Sequence, residues 1–176
     1  MADLKGTKTE KNLQAAFAGE SQARNKYTYF AKVARSEGYQ YIGAIFEETA
    51  MNEMQHAKDE FKQLGGIGDT AANLQEAIDG EDYETTTMYP DFAKDAEEEG
   101  FTEIATLFKQ IAKVEAEHRD RYKKLRELVT SGNFFKRDTK IQWKCEKCGY
   151  IVESTESPSV CPACKHPQAY YGPVSL

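Results

Sequence analysis

Two acid–imidazole pairs recur in this chain at the same spacing. Glu53 and His56 are three residues apart, and so are Glu115 and His118, 62 positions further on. On a helix such a pair shares one face and can aim a carboxylate and an imidazole at one point. Mixed Glu and His donors suit iron or manganese, with carboxylates free to bridge two ions; zinc accepts the same groups. A second donor set lies near the C-terminus. Cys145, Cys148, Cys161 and Cys164 form two Cys-x-x-Cys pairs separated by twelve residues. Four thiolates so arranged match tetrahedral iron or zinc, and spacing does not separate the two metals.

The pairs belong to a longer repeat. Gly19-Glu20 answers Gly80-Glu81, Phe30-Ala31-Lys32 answers Phe92-Ala93-Lys94, and Glu37-Gly38-Tyr39 answers Glu99-Gly100-Phe101. The offset is 61 for the first match and 62 from Tyr27 and Tyr89 onward, so one extra residue lies between Glu81 and Tyr89. The repeat therefore pairs Glu20 with Glu81, Glu53 with Glu115 and His56 with His118. The chain has three histidines, and two of them occupy equivalent places. Carboxylates gathered without cations would be forced to hold protons, and two divalent ions remove that cost. Glu84 lies one turn beyond Glu81, where the first half offers Ala23 or Gln22, so one half carries a spare carboxylate. Tyr27 shares the face of Glu20. Tyr27 and Tyr89 read equally well as donors to ligand carboxylates and as ordinary core tyrosines.

These residues need helices to position them. Thr7 and Glu10 have capping-box spacing, which predicts a helix over 8–37 stopped by Gly38. A second is predicted over 40–64, ended by Gly65-Gly66-Ile67-Gly68. Asn73 and Glu76 predict a third over 74–99, and a fourth follows over 102–131. The third contains Gly80, three threonines and Pro90, and it must absorb the extra residue. A π-bulge beside the metal-facing carboxylates would do so. Phe17, Phe30, Ile45, Phe46, Phe61, Phe92, Phe101, Ile104, Phe108 and Ile111 are expected as core or dimer contacts. From Asn133 helical periodicity gives way to β-formers, in a segment too short to hold a core without a metal staple. His166 is expected in an exposed loop.

A net charge of −6 with 30% charged residues argues against nucleic acid or an anionic membrane as a partner. No apolar run approaches the length of a membrane span, and the polar start of the chain resembles no secretory signal. With thiols placed for metal rather than disulfides, the expected compartment is the cytoplasm. The glycine cluster matches no nucleotide fingerprint, so electrons from a nicotinamide donor would need a separate protein.

Nearly the whole chain resembles rubrerythrin. The resemblance rests on residues 18–27 (AGESQARNKY), the two Glu-x-x-His pairs, Glu81-x-x-Glu84 followed by Met88-Tyr89-Pro90, and the two cysteine pairs with Trp143, Gly149, Tyr150 and Pro162. It implies a mainly α fold: a ferritin-like four-helix bundle over 1–136, then a small β-rich rubredoxin-like module over 137–176. It implies a non-haem di-iron centre with Glu20, Glu53, Glu81, Glu115 and His118 as ligands, Glu84 and His56 exchanging at one iron on oxidation and reduction. It also implies one iron on the four cysteines. The implied activity is reduction of hydrogen peroxide to water in oxidative-stress defence. Electrons would pass from the cysteine-bound iron, which is refilled by an external donor such as rubredoxin or an NAD(P)H-dependent reductase, and the working unit would be a homodimer. The competing readings are an iron-oxidising storage protein and a non-enzymatic redox or metal sensor whose tail is a zinc ribbon.

Overall fold

The computed structural model describes residues 3–175. The chain is mainly helical and ends in a small antiparallel sheet. It divides into two compact units between Gly68 and Asp69.

The first unit is a helical pair, α1 (Lys8–Ser36) and α2 (Gln40–Gln63). Thr7 caps α1 by accepting from the Glu10 amide at 3.1 Å. Glu10 returns the bond one residue earlier than a reciprocal capping box would, to the Gly6 amide. Gly38, at φ 90°, turns the chain. The Tyr39 amide then reaches the Ala34 carbonyl at 2.8 Å, closing the end of α1. The buried contacts between α1 and α2 are small: Ala31, Ala34, Gly43, Ala50 and Ala57. Small residues let the two backbones approach closely. Phe17 and Phe61 stack across the pair at 4.8 Å.

The second unit opens with α3 (Thr70–Tyr83). Its cap is Asp69, whose carboxylate accepts from the Ala72 amide at 2.8 Å. The predicted cap, Asn73, instead lies inside the helix and donates its amide to the Asp69 carbonyl. At Glu84 the helix changes pitch. Residues Glu84–Met88 form a π-helical turn, closed by a bond from the Tyr89 amide to the Glu84 carbonyl. The inserted residue of the repeat is absorbed there, as its position between Glu81 and Tyr89 predicted. Pro90 then falls in the first turn of α4 (Tyr89–Glu98), where a missing amide costs little. Gly100 repeats the role of Gly38, and α5 (Thr102–Thr130) follows.

The large apolar residues expected as core or dimer contacts are only half covered within the single chain. Phe30, Phe92, Phe101 and Ile104 are each at least 45% exposed, and the helical burial falls largely on alanine. Among the described residues no helix is long and apolar enough to cross a membrane.

The unit ends in three strands, β1 (Lys136–Cys145), β2 (Ile151–Glu156) and β3 (Tyr171–Pro173), in the order β2-β1-β3. Both pairings are antiparallel, with an irregularity in β1 between Lys136 and Ile141. Trp143, Cys145, Cys161 and Tyr171 form its fully buried cluster. The Trp143 indole donates to the Ser154 carbonyl at 3.0 Å, and the Arg137 guanidinium lies 5.3 Å from its ring centre.

Candidate metal centres

The helices bring the predicted acids and imidazoles into two triads, one in each unit. In the first, α1 supplies Glu20 and α2 supplies Glu53 and His56, with donor atoms within 4.8 Å of one another. The His56 Nδ1 lies 2.9 Å from Glu53 and 3.8 Å from Glu20. In the second, α3 supplies Glu81 and α5 supplies Glu115 and His118, again within 4.8 Å. The corresponding distances from His118 are 2.7 Å to Glu115 and 3.7 Å to Glu81.

Electrostatics show why each triad suits a cation. Burial raises the Glu20 pKa above the ordinary value, and the neighbouring Glu53 carboxyl raises it further. Burial and Glu115 do the same to Glu81. Adjacent carboxyls resist ionising together, and a divalent ion supplies the charge that lets both ionise. The donor chemistry fits iron or manganese.

Glu84 lies in the π turn, close enough for its charge to act on both Glu81 and Tyr89. Burial raises the Tyr89 pKa, followed by the charges of Glu84, Glu115 and Glu81, so its hydroxyl keeps its proton beside the acids. Tyr27 packs against Phe30 and Phe46 in the first unit, as Tyr89 packs against Phe92 and Phe108 in the second. Two features lay outside the sequence reading. Arg119 binds Asp82 at 3.1 Å, tying α5 to α3 one residue beyond His118 and Glu81. The Glu60 Oε2 and Thr85 Oγ1 atoms are buried without hydrogen-bond partners. Glu60 stands one turn after His56, a position the repeat did not mark because its counterpart is Tyr122.

The four cysteines converge as their spacing predicted, all within 4.8 Å. Sulfur pairs Cys145–Cys164 and Cys148–Cys161 are each 3.7 Å apart. That is far beyond a disulfide bond. It matches the roughly 3.8 Å edge of a tetrahedron with metal–sulfur bonds of about 2.3 Å. Two tight turns shape the site. The Gly149 amide bonds to the Cys145 carbonyl and the Lys165 amide to the Cys161 carbonyl. Gly149 has φ 80°, and Lys165 has φ 63° at the equivalent place in the second turn. The symmetry of the two Cys-x-x-Cys pairs is the signal that could have identified Lys165. His166 is half-buried rather than exposed. Its ring nitrogen contacts the Cys164 carbonyl at 3.1 Å, its own carbonyl accepts from Cys161, and its ring meets Tyr170 edge-on.

Comparison with known proteins finds relatives over nearly the whole chain. The rubrerythrin family model matches residues 11–126, and the model for the rubrerythrin rubredoxin-like domain matches residues 143–171. The chain is 52% identical to a rubrerythrin of Porphyromonas gingivalis, over 97% of this chain and 92% of that protein. It is 49% identical to rubrerythrin-1 of Clostridium acetobutylicum, over 97% and 96% of the two chains. A solved structure of nigerythrin in a partially reduced state is 33% identical over 98% of this chain and 90% of its own, at a TM-score of 0.37.

Proposed function

The chain belongs to the rubrerythrin family, oxidoreductases with a di-iron centre and a cysteine-bound iron, and on that premise we propose that it is a peroxidase reducing hydrogen peroxide to water. The observation that carries this reading is the pairing of two Glu/Glu/His triads with a thiolate quartet in one chain. A storage protein has no evident use for the quartet, and a zinc-ribbon sensor has none for the triads.

In this reading Glu20, Glu53, Glu81, Glu115 and His118 would hold the di-iron pair, with Glu84 and His56 as the two residues that would exchange at one iron. Cys145, Cys148, Cys161 and Cys164 hold the single iron. When bound, the di-iron pair supplies the two electrons that cleave the O–O bond, so that one peroxide takes up two protons and yields two waters. The chain's own residues manage charge and protons. Glu84 can swing on a π turn whose backbone differs from the helix on either side. Tyr89 keeps a proton next to three carboxylates and is the neutral donor to the departing oxygen, with Tyr27 in the matching position of the other half. Electrons enter at the cysteine module from an external donor, rubredoxin or an NAD(P)H-dependent reductase. We place the boundary between the ferritin-like domain and this module at residues 136/137. The working unit is a cytoplasmic homodimer acting in oxidative-stress defence, with no nucleic-acid or membrane partner.

The test is Cys161→Ser. Steady-state peroxide turnover with an external donor should be lost, while peroxide still oxidises the chemically prereduced helical site. If steady turnover survives, the electron route is wrong; if prereduced protein fails to react in both parent and variant, the peroxidase reading is wrong.

A further inference from the structure

We propose that Tyr171 is a positioning residue of the cysteine-bound iron: its buried hydroxyl donates a hydrogen bond to the Cys161 thiolate and raises the reduction potential of the site. The proposal rests on iron occupying the four cysteines.

Tyr171 opens β3 and is the Cα partner of Cys145 on β1. It is 2% exposed and packs in one cluster with Trp143, Cys145 and Cys161, the two sulfur residues being fully buried. A ring at this place needs no oxygen to fill the core. Yet the tyrosine oxygen is there, buried, with no partner of ordinary hydrogen-bond geometry. Such a group is costly unless something in its surroundings accepts the proton.

The acceptor available to it is sulfur. Among the side chains of its cluster only the sulfurs of Cys145 and Cys161, with Cys164 packed against them, can accept a proton. Of these sulfurs, Cys161 is the one with which the Tyr171 hydroxyl interacts most strongly. A neutral thiol is a weak acceptor. A metal-bound thiolate carries the charge that draws a donor in.

The consequence is electronic. Reduction adds one negative charge to the iron–sulfur unit, spread over its thiolates. A hydrogen bond to sulfur stabilises the more negative state more, and such bonds are one of the recognised levers on these potentials. The Gly149 and Lys165 turns shape the backbone around the cysteines. Tyr171 adds a side-chain donor, aimed at one sulfur of the four.

The experiment uses the full-length, iron-loaded protein and begins with its visible spectrum. The thiolate-to-iron bands establish iron in the cysteine site before any potential is read, so zinc occupancy is detected separately from a failure of the proposal. Tyr171→Phe keeps the ring and removes the donor. It should lower the equilibrium constant for one-electron reduction about tenfold, or about 59 mV, and diminish the deuterium sensitivity of the iron–sulfur stretching bands. A change of less than about twofold in that constant overturns the proposal. Replacing Tyr171 with 3-fluorotyrosine, a more acidic donor of nearly the same shape, should move the potential upward. A downward or absent shift there also overturns it, and this arm decides the matter if the phenylalanine variant fails to load iron.

Discussion

The two helical pairs are near copies in their donors and differ in the backbone that carries them. The imidazole-to-carboxylate distances agree within about 0.2 Å between halves. The Tyr27–Phe30–Phe46 group in one is matched by Tyr89–Phe92–Phe108 in the other. A cross-helix ion pair is also repeated with its charges exchanged: Arg35–Glu47 becomes Glu97–Lys109. Against this stands the π turn at Glu84–Met88, which the first half lacks. The lesson is that a duplicated donor set can stay symmetric while one inserted residue gives one side an extra carboxylate on a different backbone.

The symmetric part is broken most severely by removing one of the two acids that stand one turn before an imidazole. Glu53→Ala and Glu115→Ala should each weaken iron binding at the helical site by more than tenfold, since even groups behind metal ligands are worth about 10- to 100-fold. Iron analysis after gel filtration checks this, and full retention in either variant would break the equivalence of the halves.

The asymmetric part is addressed by Glu84→Gln. Peroxide oxidation of the reduced protein should slow about 100-fold, at the low end of what a positioned acid–base group contributes. The cysteine-site spectrum should not change. Stopped-flow rates equal to the parent's would make Glu84 a bystander.

A smaller effect follows from the raised pKa values of Glu20 and Glu81. A carboxyl whose folded pKa lies above its unfolded one holds its proton better when folded. Its favourable contribution is therefore complete below the ordinary value of 4.5 and is lost as pH rises through the folded value. Under chelator, Glu81→Gln should be more stable than the parent at neutral pH, with the advantage vanishing below about pH 4. Adding ferrous iron should reverse the neutral-pH order. Urea midpoints across pH measure it, and a parent that is the more stable under chelator at neutral pH would count against the crowding of acids.

The smallest effect concerns the exchanged ion pair. A methyl on Gly43 would lie 2.7 Å from the Arg35 Cγ, whereas the equivalent residue, Ala105, is accommodated opposite the shorter Glu97. Overpacking of about 1–3 kcal/mol set against a helix-propensity gain of about 1 kcal/mol leaves Gly43→Ala destabilising by about 1 kcal/mol. The cost should disappear in an Arg35→Glu background, as a double-mutant cycle of melting points would show.

Local chemistry was legible in the chain, and long-range chemistry less so. Glu-x-x-His and Cys-x-x-Cys state their geometry through spacing, because one helical turn or one tight turn does the positioning. The π turn was legible because the repeat counts residues and the count fails between Glu81 and Tyr89. The start of α3 was misplaced because Asp69 and Asn73 both fit a cap, and the choice depends on which carbonyl receives the Asn73 amide. Tyr171 was invisible for a different reason: strand register, not neighbouring sequence, sets it opposite Cys145 and into one buried cluster with Cys161. The aromatic residues read as core or dimer contacts divide in the single chain: alanine makes the buried helix contacts while Phe30 and Phe92 remain half exposed.

The most direct test of the whole account is anaerobic titration of the fully reduced protein with hydrogen peroxide. The account predicts stoichiometric loss of peroxide as water forms, with oxidation of the helical iron and no dioxygen released. Reduced protein that leaves peroxide intact, or that turns it into dioxygen, would contradict it.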